Sequence, residues 1–325
     1  MKETKIEHIV FEHVNDFEPE HVFECGQCFR WVPAQDGHGE VSSNGSADYI
    51  GAAGPYAARI SYCIGSDGSS SDRSSDIIKE KNGISAGEAD TEMSTSGNSG
   101  DREGTLAIEA TGGDENFWRQ YFDLDTDYSA IKQTLIANDP AIEPATGYGR
   151  GIRILNQDLF ETIISFIISQ NNNIPRIRKN IESLCTEYGE YTGEAFGREW
   201  YAFPTPEALA AADVDDLMAL KLGYRAPYIK ATAKAFLEGK CPACREDVLA
   251  YHGVGPKVAN CIMLFGLHDT AAFPIDTWVR HIMNDMYGFD EKDMKGMQQF
   301  AADKFGELAG YAQQYLFYYY RDKKL

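Results

Sequence analysis

The segment Leu249-Ala250-Tyr251-His252-Gly253-Val254-Gly255-Pro256-Lys257-Val258-Ala259 constrains this chain more than any other. Two glycines one residue apart close one helical run and a proline opens the next, so the stretch reads as two short helices joined by a tight turn. The second helix is the apolar run that continues from Val258 to Leu267. The first backbone N–H groups of a helix have no partner within it, and they attract anions, phosphates above all. Lys257 stands on that first turn. Asp276 follows in Phe273-Pro274-Ile275-Asp276-Thr277-Trp278, a loop entering a further helix, where Asp is a preferred cap. A cap can serve chemistry as well. The turn alone is compatible with a plain phosphate clamp, in which Lys257 only pairs with a phosphate, and equally with a catalytic amine. Hairpin lysine, apolar helix, short loop and Pro-x-Asp in that order are far more specific than any one of them.

Three further segments stand upstream in a fixed order. They are Gly26-Gln27-Cys28-Phe29-Arg30-Trp31, then Ser165-Phe166-Ile167 through Gln170-Asn171-Asn172-Asn173-Ile174-Pro175-Arg176-Ile177, then Leu222-Gly223-Tyr224-Arg225-Ala226. With the hairpin, they resemble the helix-hairpin-helix DNA glycosylase superfamily and, within it, the 8-oxoguanine DNA glycosylase/AP lyase family. The four ordered matches cover most of the chain. The resemblance implies a bifunctional enzyme of base excision repair that extrudes 8-oxoguanine from duplex DNA and removes it.

The resemblance also implies a role for each matching residue. Lys257 would attack C1′, expel the base and hold the sugar as a Schiff base, after which β-elimination nicks the strand. Burial beside Val254, Val258 and Cys261 is expected to lower the amine's pKa toward its neutral, nucleophilic form. Asp276, ionised, would stabilise positive charge on the sugar and help proton movement. In the base pocket, the Gly26 carbonyl would accept the N7–H that oxidised guanine has and guanine lacks. Cys261 and Phe317 would sandwich the base, and Gln313 would bond its pairing edge. The aromatic run around Phe317 also has a plain reading as core. On the DNA, Asn171 would fill the vacated space and Tyr224 would wedge into the stack. Arg176 and Arg225 would bond the widowed cytosine, and Gly253 and Gly255 would hold a phosphate. Trp278 departs from eukaryotic-type members, which carry a phosphate-holding histidine there, so that contact is lost or replaced. Two other readings stay open: a monofunctional glycosylase for alkylated or mismatched bases, and a non-enzymatic hairpin module that binds damaged DNA. Lys257 with Gly26-Gln27 argues against the first, and Asp276 against the second.

The 325 residues suffice for two units with substantial cores. The expected fold class is α+β: a small N-terminal antiparallel β-sheet domain, residues 1–114, packed on an all-α helix-hairpin-helix core, residues 115–325. Strands are expected over 22–32, 49–53, 57–64 and 105–110. From Glu115 the pattern turns helical, with Phe117, Tyr121 and Phe122 on one face and three-to-four spacing through Leu159, Ile163, Phe166 and Ile167. Residues 66–104, rich in Ser, Gly, Asp and Glu, offer too little apolar surface to offset the entropy of ordering and read as a disordered insertion in a hairpin.

The net charge of −20 argues against a bulk electrostatic DNA binder, which would carry a basic excess. Binding depends on local charge, however, and Lys257, Arg225, Arg176, Arg178, Lys179 and Arg153 lie in or beside the motifs. Cys25-x-x-Cys28 and Cys241-x-x-Cys244 could in principle give four thiolates to zinc. The first pair sits in the glycine-glutamine motif and reads as small buried residues; the second is a turn that could bind metal or form a redox-sensitive bond. No cysteine follows Cys261, so the cluster loop of iron–sulfur relatives is missing. No metal and no cofactor are expected. With no apolar run long enough for a bilayer and the polar start Met1-Lys2-Glu3-Thr4, the expectation is a monomer without a membrane partner. It would be cytoplasmic and nucleoid-associated, or nuclear, and act on double-stranded DNA containing oxidised guanine.

Overall fold

The computed structural model describes residues 4–34, 48–64 and 103–323. In chain order they form β1 (Glu7–Val14), α1 (Pro19–Glu24), β2 (Val32–Pro33), β3 (Tyr49–Ala53), β4 (Tyr56–Ile64), β5 (Gly104–Ala110), α2 (Glu115–Tyr121), α3 (Tyr128–Asn138) and α4 (Glu143–Tyr148). Next come α5 (Leu159–Ser169), α6 (Ile174–Tyr188), β6 (Tyr191–Ala195), β7 (Arg198–Tyr201), α7 (Pro206–Ala211), α8 (Val214–Leu217) and α9 (Ala226–Leu237). The chain closes with α10 (Arg245–Leu249), α11 (Pro256–Gly266), α12 (Thr277–Tyr287), α13 (Met294–Phe305) and α14 (Ala309–Lys323). The architecture is α+β, as expected.

The first five strands make one antiparallel sheet in the order β1-β5-β4-β3-β2. In β5 every second residue is buried, the alternation of a strand with one face on a core. In the same core sit Phe23, Trp31, Trp118, Phe122 and Tyr49 of β3, all fully buried. Trp31 anchors the group: its ring stacks on Phe23 with centroids 4.5 Å apart, and its Nε1 donates to the Tyr121 hydroxyl at 2.8 Å. A Cβ on Gly51 would lie 2.3 Å from the indole, so only glycine admits the ring there. Trp31 thereby fastens the Gly26–Trp31 segment to the sheet.

One expectation for this region is corrected, and one strand is added. Residues 22–32 are not a strand: Pro19 opens α1, Gly26 turns the chain with φ +83°, and only Val32 and Pro33 pair with β3. β1 was not anticipated from the sequence; its burial alternates imperfectly and a bulge interrupts its register between Phe11 and Val14. The insertion at 66–104 lies outside the described residues except for its last two. Its flanks are hydrogen-bonded neighbours, since β4 and β5 pair as far as Ile64 with Gly104, which makes it an insertion between hairpin arms.

The helical part forms a second, larger core around α5 and α11. From Thr162 to Ile168, α5 is buried throughout, and Phe166 stacks on Phe265 of α11 with centroids 5.5 Å apart. The helical reading from Glu115 misses one hairpin, β6–β7, turned by Phe196 and Gly197 with both φ positive. Arg30, buried, donates to the Tyr201 carbonyl and lies 3.5 Å from Glu161, which joins the sheet loop to this hairpin and to α5.

Candidate active site

α10 and α11 are the two helices of the hairpin. Gly253 has φ +84°, and the bare Cα accepts the Tyr228 ring, which a Cβ would meet at 2.3 Å. Gly255 caps α11 with no side chain over the helix end and nothing within 4 Å of an added Cβ. The first N–H groups of α11, those of Lys257 and Val258 after Pro256, carry no side-chain cap. Lys257 stands on this turn, with Cys261 one turn further along. The Lys257 amine lies 5.7 Å from the centre of the Phe166 ring, with the Cys261 sulfur its strongest electrostatic neighbour.

Asp276 is the N-cap of α12 and accepts from the Val279 N–H at 2.8 Å. The loop before it is fixed to α11 by Asn260, whose Nδ2 donates to the Phe273 carbonyl at 3.1 Å while its Oδ1 accepts from Arg245 Nε at 3.1 Å. Asn260 joins α10, α11 and the Asp276 loop, yet the sequence reading passed over it. Its one signal is a polar residue in the middle of a buried apolar run.

The expected fall in the Lys257 pKa is overturned: it is raised from its ordinary value. The Cys261 sulfur is the largest influence and holds the proton on the amine; burial opposes it, and the Asp276 carboxylate adds to it. Burial pushes the Cys261 thiol up as well, against the pull of Lys257. The amine in the free protein is an ammonium, and a proton must leave before attack.

The glycine-glutamine motif meets this centre through one ring. Phe29 packs edge-on against Phe166, the ring beneath the Lys257 amine. Buried Gln27 fixes the turn: its Nε2 donates to the Val22 carbonyl at 2.8 Å and to the Arg153 carbonyl at 2.7 Å, and its Oε1 accepts from Leu155 N–H at 2.9 Å. Gly26 faces Phe317, whose Cε1 lies 3.7 Å from where a Gly26 Cβ would be. Phe317 is half-buried on α14, and Gln313, one turn earlier, is buried with its Oε1 accepting from Gln314 Nε2. The plain core reading of this helix also holds for Tyr311, Tyr315, Leu316 and Tyr318, all buried.

A third group forms around the triple asparagine. Asn171 has φ +47° and donates to the Tyr224 hydroxyl at 3.3 Å. Tyr224 is exposed. Arg225 is buried, and its guanidinium donates to the carbonyls of Gln170, Asn171 and Leu222. Arg176 is exposed on the first turn of α6. Arg153, counted above among the cations beside the motifs, is buried and bonded to the carbonyls of Asn15, Asp16 and Asp123, out of reach of a phosphate. Among the described residues, no three His, Cys, Asp or Glu side chains are grouped to hold a metal ion.

Residues 9–163 match the family model for the 8-oxoguanine DNA glycosylase N-terminal domain, and residues 164–307 that for the HhH-GPD superfamily of base excision DNA repair proteins. A probable N-glycosylase/DNA lyase of Methanothermobacter thermautotrophicus is 32% identical over 228 residues, which is 60% of this chain and 70% of that protein. The chain belongs to the 8-oxoguanine DNA glycosylase family. The N-glycosylase/DNA lyase of Saccharomyces cerevisiae is 36% identical over 190 residues, and this chain spans only 50% of its length. The Clostridium acetobutylicum 8-oxoguanine glycosylase/lyase, solved with double-stranded DNA containing cytosine opposite 8-oxoG, superposes over 100% of both chains with a TM-score of 0.76 at 33% identity. MBOgg1, solved with a low-affinity DNA ligand, covers 99% of each chain with a TM-score of 0.77 at 33% identity. The two solved structures superpose on this chain over nearly its whole length.

Proposed function

We propose that this chain is a bifunctional DNA glycosylase/AP lyase that excises 8-oxoguanine from duplex DNA, with Lys257 as nucleophile and Asp276 as its carboxylate partner. The observation that carries it is that these two groups lie within electrostatic reach of each other, one on the first turn of α11 and the other capping α12. Once Lys257 Nζ has lost a proton, its lone pair bonds C1′ as the bond to the base breaks; the electron pair departs with the base, which takes up a proton. Asp276 offsets positive charge on the sugar. Ring opening gives the imine, and loss of a C2′ proton then expels the 3′ phosphate.

Gly26, Cys261, Gln313 and Phe317 form the base pocket in this reading. Asn171, Arg176, Tyr224 and Arg225 engage the gap and its cytosine, and Gly253 and Gly255 grip the phosphate. Residues 1–114 and 115–325 are its two units, and it acts as a monomer. Among the described residues no helix is long and apolar enough to cross a membrane. The test is borohydride trapping on duplexes carrying 8-oxoguanine, uracil or an alkylated purine. Wild type should trap on the first, and Lys257→Gln should neither trap nor nick while still binding. Undiminished trapping in the variant would assign the nucleophile elsewhere.

A further inference from the structure

The last turn of α14 carries a guanidinium in an unusual setting. Arg321 follows Phe317 by four residues and so shares its helix face, and only 16% of its side chain is exposed. Its Nη1 donates to the backbone carbonyl of Glu24, and its Nε donates to Asp322 Oδ1 at 2.9 Å. The guanidinium carbon lies 5.7 Å from the Phe317 ring centre and 5.0 Å from that of Tyr318. Glu24 ends α1, two residues before Gly26, and its carboxylate is itself held by Arg178 of α6 at 2.9 Å. One side chain thus grips the main chain beside Gly26 and lies against the ring that faces Gly26.

We propose that Arg321 is a positioning residue that fixes Phe317 against the Gly26 turn and thereby sets how well oxidised guanine is told from guanine. This rests on the pocket reading above. A carbonyl that must meet one N–H across a ring-wide slot works only if slot and carbonyl are fixed together, because hydrogen bonds weaken steeply with misalignment. Phe317, one wall of that slot, stands on α14 and the Gly26 carbonyl on the turn after α1, two elements distant in sequence. Arg321 bridges them on its outer side. Among the described residues none of its hydrogen bonds reaches α11 or α12, so it acts on recognition of the base and not on the amine.

The test is Arg321→Met, which keeps bulk and removes charge and donors, read in three single-turnover reactions. These are excision of 8-oxoguanine opposite cytosine, excision of undamaged guanine, and nicking at a preformed abasic site. Loss of a charge-assisted bond predicts 8-oxoguanine excision down about ten- to a hundredfold. Guanine excision should be unchanged, so the ratio of the two falls, and abasic nicking should stay within about twofold, since that step needs no base in the pocket. Arg321→Lys, which keeps the charge and one donor direction, should recover part of the loss, and the same three reactions on it decide the matter if Arg321→Met does not fold. Equal loss in all three reactions would make Arg321 merely structural and overturn the proposal, as would undiminished 8-oxoguanine excision. Phe317→Ala separates the two failures. If it leaves 8-oxoguanine excision intact, the pocket reading falls; if it is defective while Arg321→Met is normal, only the positioning role falls.

Discussion

Gly253→Ala perturbs the hairpin at its tightest point, and its cost can be built from two separate causes. At φ +84° an alanine meets the left-handed penalty, about 1–2 kcal/mol. Its Cβ would also lie 2.3 Å from the Tyr228 ring, and relieving such overlap costs about 1–3 kcal/mol. That ring has little freedom, because it meets His252 at 4.7 Å and Tyr224 at 6.0 Å between centroids. Together the two causes amount to about 2–5 kcal/mol, which at roughly 2 °C per kcal/mol for a chain of this size lowers the melting temperature by about 4–10 °C. A displaced Tyr228 also carries Tyr224, the proposed wedge, so DNA affinity should fall with stability. Adding Tyr228→Leu removes the overlap but leaves the backbone penalty, and should restore roughly half of the lost stability. Gly255→Ala is the control. Its φ is −95° with nothing within 4 Å, so it loses only the small preference of a helix cap for glycine over alanine, about 1 kcal/mol or less. Calorimetry and fluorescence anisotropy on a lesion-containing duplex measure both. A Gly253→Ala melting point within about 1 °C of wild type would refute the argument, because neither the strain nor the overlap would then be real.

Asp276→Asn keeps a good cap for α12 and removes the charge, so the fold should hold while excision slows by about a hundredfold or more; a rate within a few-fold of wild type would leave Asp276 a cap alone. The raised Lys257 pKa keeps the amine protonated through neutral pH, so excision should climb as pH rises. Cys261→Ala removes the largest raising influence and should move that limb to lower pH, and an unmoved limb would show that the amine does not control the rate. Wild type should prefer cytosine to adenine opposite the lesion by about ten- to a hundredfold, since a misplaced donor facing a guanidinium leaves buried groups unpaired. Arg176→Ala should flatten that preference without loss of stability, whereas Arg225→Ala, which abandons one buried and two part-buried carbonyls, should lower stability by about 1–3 kcal/mol. Equal wild-type rates for all four opposite bases would show that neither arginine reads that base.

The hairpin, the Asp276 cap and β3 to β5 are legible in the sequence because each rests on a local rule: glycine at a turn, aspartate before a helix, alternation along a strand. What escapes is set by tertiary contact. α1 is hidden because its six residues carry too short a pattern, and Pro19 alone announces it. The β6–β7 hairpin is hidden because Tyr191 and Glu194 are exposed and Trp200 is its one fully buried side chain, so no alternation shows. The pKa of Lys257 escapes for the same reason. Burial is guessable from apolar neighbours, but its sign against a sulfur one turn away and a carboxylate on another helix depends on positions that only the fold supplies.

The same distinction changes how an acidic chain can hold DNA. Six cations near the motifs offered a local basic footprint, but the fold spends half of them elsewhere. Arg153 and Arg225 are buried on carbonyls, and Arg178 is paired with Glu24. Exposed Arg176 and Lys179 remain, with Lys257 committed to the site centre. Those six can then neutralise few phosphates and add little affinity through counterion release. In the reading proposed above, the grip comes from groups that carry no net charge: the first N–H groups of α11, the Tyr224 ring, and the pocket of Gly26, Cys261 and Phe317. Groups of that kind reward an extruded base far more than an intact duplex, so a chain of net charge −20 can still select a lesion while holding undamaged DNA only loosely.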